Sequence, residues 1–170
     1  MNLLDRFVLH HLQLTLLEAE VISVVKDPGT QEAKVELNLS PRLIQADSGE
    51  DLPSYHVGAR LACRTGPKGG PKGDPKGDPK GDPKGGTKAA FKAQVGFEAV
   101  YRQVSGEPVD IAEFTANHAS LTRQLYPLLQ QELRVLMNRV GLEQIRLPYD
   151  LAAQVHSTGG ETVQVSGAVH

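Results

Sequence analysis

The chain has 170 residues, a formal net charge of −2, one cysteine, no tryptophan and 5% aromatic residues. Near-neutral charge and sparse aromatics argue against a nucleic-acid footprint or a base-stacking platform. A lone Cys63 excludes an internal disulfide framework and fits a reducing compartment. No stretch reaches the roughly 18 apolar residues of a membrane span. Asp5 and Arg6 interrupt the only apolar patch near the start, where a secretory signal would need an unbroken one. A cytoplasmic protein of one domain, bound neither to membrane nor to nucleic acid, is expected.

Taken in order, Leu9–Val25 alternates with phase shifts: Leu12, Leu14 and Leu16, then Leu17, Ala19 and Val21, then Ile22 and Val24. This predicts a long strand with one or two bulges. Asp27-Pro28-Gly29 signals a turn. Ala33, Val35, Leu37 and Leu39 alternate with Lys34, Glu36, Asn38 and Ser40, a half-buried strand that Pro41 should end. Leu43 and Ile44 then fall in a segment closed by Asp47–Asp51 and Pro53, read as a long crossing loop. Val57, Ala59, Leu61 and Cys63 form a third strand. Phe91, Ala93, Val95, Phe97, Ala99 and Tyr101 form the fourth and cleanest. Consecutive strands are expected to pair antiparallel.

Between the third and fourth strands, Gly66–Gly86 repeats Pro-Lys-Gly-Asp with a period of four. Collagen needs glycine at every third position, so a triple helix is excluded. With nothing apolar to bury, the insert reads as a flexible, mildly cationic hairpin loop. It also lacks the Gly-x4-Gly-Lys-Ser/Thr order of a phosphate loop.

Val109–Phe114 reads as a short helical lead-in with Asp110 near its start. In Asn117–Val140 the residues Leu121, Leu125, Leu128, Leu129, Leu133, Leu136 and Val140 recur at steps of three and four, which predicts an amphipathic helix about 35 Å long. Ser120 or Asn117 offers a cap oxygen at its start, and Gly141 suits a left-handed C-cap. Pro127 predicts a kink or break near Arg123–Tyr126. The tail from Ala152 lacks periodicity; Thr162–Val165 offers an edge strand, with disorder as the other reading. Strands followed by helices define an α+β fold: a four-stranded antiparallel sheet, a long helix and a short terminal helix.

Candidate chemistry is thin. His10 and His11 are adjacent on a strand and point to opposite faces, so they cannot converge on one metal ion. Glu18 and Glu20 share a face without an acid/base partner, and Cys63 lies on the apolar side of its strand. No catalytic residue, metal site or cofactor is expected, and the chain does not read as an enzyme.

Three segments resemble the SecB-type export chaperones. Leu125-Tyr126-Pro127 followed by Glu132 is similar to the family's Leu-Phe-Pro-Tyr…Glu. Gly141 then Ile145-Arg146-Leu147-Pro148-Tyr149-Asp150-Leu151 is similar to Gly then Leu-Asn-Leu-Ala-Pro-Val-Asn-Phe, one residue shorter. Ala90-Phe91-Lys92-Ala93-Gln94-Val95 resembles Ala-Phe-Leu-Cys-Glu-Val. The resemblance covers about Leu9 to Leu151, so residues 1–151 form the expected domain, with 66–86 inserted in it and 152–170 as a tail. It implies a homotetramer, a dimer of dimers with long helices sandwiched between sheets, that holds unfolded or partly disordered client polypeptides in apolar grooves without ATP. It also implies a role in protein export or in guarding an antitoxin of a toxin–antitoxin system.

The client-binding candidates are Val35, Leu37, Leu39, Leu43, Ile44, Leu147, Tyr149 and Leu151. The oligomer-interface candidates are Leu121, Leu125, Leu128, Leu129 and Leu133. Of the acids through which export members dock the translocase motor, the resemblance leaves Glu20. Lys92 and Gln94 stand where the family has leucine and glutamate, which weakens that docking. The alternative is a small α+β enzyme or ligand-binding domain with its sheet wrapped around a long helix, which would need a closed pocket with convergent polar groups.

Overall fold

Strict alternation builds the centre of the sheet. In β2 (Ala33–Ile44) as far as Pro41, in β3 (Ser54–Thr65) and in β4 (Phe91–Gln103) alternate side chains are buried on one face while their neighbours, the buried Gly96 apart, are at least partly exposed on the other. The computed structural model describes residues 3–22, 33–44, 52–65, 91–143, 145–149, 151, 155–156 and 163–169. The Asp27-Pro28-Gly29 turn, the Asp47–Asp51 segment and the Gly66–Gly86 repeat lie outside these residues.

The strand order is β1-β4-β3-β2-β6-β5, where β1 is Phe7–Val21, β5 Val155–His156 and β6 Val163–Val169, and every pair is antiparallel. Two expectations change here. First, β1 pairs with β4 rather than with its sequence neighbour β2. Second, the four-stranded sheet is extended along β2 by β6, so the tail adds to the sheet. Pro41 does not end β2; it lies within it, opposite Val57. Among the described residues the β6 pairing ends at Leu39↔Val163, which leaves β2 an edge strand at Pro41, where a missing N–H is tolerated. Leu43 and Ile44 therefore belong to a strand, opposite Tyr55 and Ser54, and not to a crossing loop.

Of the one or two bulges expected in β1, two are present, as register shifts between Leu9 and His11 and between Leu14 and Leu16. The second resets the phase. Leu12, Leu14, Leu17, Ala19 and Val21 all stand opposite helix-facing residues of β4, whereas Leu16 turns to the outer face opposite Gly96. A Cβ on Gly96 would stand 3.0 Å from the Leu16 Cβ, a close approach that a larger residue could make only by shifting β1.

The helices cover one face of the sheet. Asp110 caps α1 (Ile111–Ala116), its carboxylate accepting from the Glu113 amide at 2.7 Å. Phe114 anchors α1 by stacking on Tyr55, with ring centroids 4.1 Å apart, and by tilted contact with Phe7. Asn117 joins α1 to α2 (His118–Arg139); its side chain donates to the Glu113 carbonyl at 2.9 Å and does not cap α2, and Ser120 lies inside α2. The helix runs its 22 residues through Pro127 without the expected break. Pro127 and Arg123 both lie on the exposed side, so water can serve the carbonyl that loses its amide partner. At the C-terminus the amides of Leu142 and Gly141 bond back to Met137 and Asn138 at 2.9 and 3.2 Å, the Schellman pattern, and Gly141 has φ +78°. Nothing lies within 4 Å of a Cβ there, so the backbone angle alone selects glycine.

Candidate polypeptide-binding surface

At its far end β2 runs past the last β6 pair, and there Leu43 is 50% exposed and Ile44 is also exposed. The two point to opposite faces, Leu43 to the helix-bearing side with its partner Tyr55. Tyr55 is buried, and its hydroxyl donates to the Val109 carbonyl, which holds the lead-in to α1 against β3. Burial raises the phenol's pKa, helped by the carboxylates of Asp110 and Glu113. Open backbone and uncovered apolar side chains thus coincide at Ser40–Ile44; among the described residues no strand pairs with that stretch on its outer edge.

The second part follows α2. The Tyr126 hydroxyl and the Gln130 amide, the latter at 3.1 Å, both donate to the Pro148 carbonyl and pin residues 145–149 to the helix. Leu147 turns in and is buried, while Tyr149 is 99% exposed. Between this segment and α2 lies a cavity of about 470 Å³ lined by Gln130, Arg134, Asn138, Ile145, Leu147 and Tyr149.

The remaining client candidates are not at the surface. Val35, Leu37, Leu39 and Leu151 are buried without exposure, the first three in the core between sheet and helices. The interface candidates divide similarly. Leu121, Leu125, Leu129 and Leu133 are spent on the protomer's own core, and only Leu128 is exposed. The apolar surface that the sequence reading did not assign to a site lies on β1. One cross-sheet row reads Leu37, Leu61, Val95, Leu17. Its first three members are fully buried and Leu17 is 45% exposed, because the helices, which cover the Phe7 end of β1, do not seal the strand at Leu17. Leu14, Val21 and, on α2, Val135 are exposed as well. The available signal was that β1 keeps leucines in phase with the core although it is an edge.

The outer face is polar and mixed in charge. Glu20, Lys92, Arg64 and Lys34 form one row across four strands, and Arg64 pairs with Glu36 at 3.6 Å. Beside it a trough of about 470 Å³ is floored by Gly58 and Gly96 and flanked by Asn38, Arg42, Arg60 and Glu98. His56 meets Glu98 at 2.8 Å. His10, without a cross-strand partner at the bulge, and His11 are both exposed on β1. Cys63 is buried, and burial pushes its thiol up to about 12, so it is not poised as a nucleophile. Among the described residues no helix is long and apolar enough to cross a membrane.

No family model matches the sequence, and no curated protein matches it. Among solved structures the chain is similar to the Mycobacterium tuberculosis SecB-like chaperone Rv1957, in complex with a ChAD peptide from the Rv1956 HigA1 antitoxin. The identity is 21% and the TM-score 0.55, over 86% of this chain and 92% of that one. The fold is therefore SecB-like: an antiparallel sheet carrying a long and a short helix on one face.

Proposed function

We propose that this protein is an ATP-independent holding chaperone for non-native or partly disordered polypeptide. The observation that carries the reading is the coincidence at Ser40–Ile44 of a strand edge unpaired among the described residues with exposed Leu43 and Ile44, on a SecB-like frame. An unfolded chain presents the complements to both, unpaired backbone and apolar side chains, along one extended segment, whereas a native protein keeps most of both paired or buried. Leu43, Ile44 and Tyr149 are the proposed client contacts, with Leu147 and Leu151 supporting the segment that carries Tyr149. The exposed face of β1 and Leu128 of α2 would pack between subunits of a homotetramer. The Rv1957 structure holds an antitoxin peptide, which favours an antitoxin as client over an export precursor. A cytoplasmic location fits the single buried thiol.

Calorimetric titration of a permanently unfolded client, such as reduced carboxymethylated α-lactalbumin, tests the reading. Binding in the micromolar range without nucleotide, and none to native lactalbumin, is expected. No heat of binding at tens of micromolar would remove the chaperone assignment.

A further inference from the structure

The strand β6 reaches β2 from the far end of the chain and occupies it over seven consecutive registered pairs, Ala33↔Val169 to Leu39↔Val163. Its sequence, Val-Gln-Val-Ser-Gly-Ala-Val, carries no charge. Gly167 falls in its interior opposite Val35, where glycine weakens a strand. On its other side, among the described residues, β6 is backed by the two residues of β5. The sheet β1-β4-β3-β2 and the helices packed on it do not depend on β6 for their connectivity. Releasing β6 would thus bare an unpaired edge of β2 while leaving that body in place.

We propose that β6 is an intramolecular stand-in for client, and that an extended segment of unfolded polypeptide binds by replacing it on the β2 edge. This rests on the chaperone reading above and adds the mode of recognition. Among the described residues no strand pairs with the outer edge of β2 at Ser40–Ile44, which adjoins the Val163 end of β6. A client strand that pairs there, with an apolar residue against Leu43, is placed to displace β6 pair by pair from Leu39 toward Ala33. Main-chain pairing reads an extended backbone whatever its sequence, which suits varied clients. A resident competitor lowers apparent affinity by the fraction of time it occupies the edge, so weakly self-pairing segments are rejected.

The test uses the full chain carrying Asn38→Cys and Gln164→Cys, two residues in register across β2 and β6. Cys63 is buried and does not compete for the new pair. With reductant, the variant should bind carboxymethylated α-lactalbumin as the parent does. Oxidised, its affinity should fall at least tenfold and return on reduction. A full-length Val165→Pro variant, which disrupts the β6 ladder, should bind at least threefold more tightly than the parent. Equal affinity in oxidised and reduced forms would overturn the proposal and leave the chaperone reading standing. A disulfide that fails to form, or that links two chains, would overturn it by showing that β6 is absent from its own β2 edge or belongs to a second copy. No client binding by any form, reduced and Val165→Pro included, would overturn the chaperone reading and this inference with it.

Discussion

The Glu18 carboxylate accepts a hydrogen bond from the side-chain amide of Gln94 across the β1–β4 ladder, and two residues along, Glu20 stands opposite Lys92. The acid that would meet a basic translocase motor thus begins a row continued by Lys92, Arg64 and Lys34. Like charges brought against a basic partner repel it and slow encounter. Motor binding should be weak, and Lys92→Glu combined with Gln94→Glu should strengthen it at low salt. Titration of both forms with the motor checks this; tight binding by the parent would show that the cationic row does not matter.

Burial separates two roles on α2. Leu125 is wholly buried in the protomer, so Leu125→Asp should unfold it, since an unpaired charge in a core costs several kcal/mol. Leu128 and Leu17 are exposed on the helix-bearing side. Leu17→Asp with Leu128→Asp should dissociate the proposed tetramer while leaving the circular dichroism spectrum native. Sedimentation equilibrium reads the outcome, and a parent that is monomeric at micromolar concentration rejects the assembly.

Leu43 and Ile44 already lie partly against protein, so client binding can desolvate only the remainder of each side chain. With full burial worth roughly 1.5–3 kcal/mol per side chain, the pair contributes about 2 kcal/mol. Leu43→Ser with Ile44→Ser should therefore weaken client affinity tenfold or more. Thermal melting should change little, because neither residue belongs to the core. Unchanged client affinity would move the binding surface elsewhere.

The ends of β3 and β4 meet independently of the repeat between them: the Phe91 amide donates to the Thr65 hydroxyl at 3.2 Å, and Arg64 pairs with Lys92. Deleting Gly66–Gly86 leaves a short connection across a closed ladder. Loop-closure entropy changes by only about 0.6 kcal/mol per doubling of length, so the melting temperature should be kept within a few degrees. A large loss would show that the repeat packs on the body.

Stability should fall at alkaline pH. Burial raises the Cys63 thiol from 9.0 to about 12 and also raises the phenols of Tyr101 and Tyr55. Above pH 9 the unfolded chain releases the thiol proton while the folded chain retains it, so the contribution is complete below about pH 9 and is lost as pH rises toward 12. The slope from Cys63 alone is on the order of 1.4 kcal/mol per pH unit once the unfolded thiol is ionised. Cys63→Ala should flatten the decline in urea midpoint between pH 9 and pH 10.5. A variant that falls as steeply as the parent there would show that the thiol takes no part.

The local elements, and the apolar side of each, are legible in the amino-acid order alone. Alternation in Val57–Cys63 and Phe91–Tyr101, the bulges in β1, Asp110 as a cap and Gly141 as a left-handed stop all rest on interactions within a few residues, which a linear pattern records. Which apolar face ends up covered is decided at long range. Leu37 and Leu17 look alike in sequence and share one row of the sheet, yet one is sealed beneath helices and the other is half open, because the helices' cover does not extend over β1 at Leu17. Leu125 and Leu128 differ by one step around a helix and part in the same way. The pairing of β1 with β4, the passage of Pro41 through β2 and the seating of β6 on β2 were equally out of reach. Strand order depends on which edges remain free once all strands have packed, and no single segment carries that information.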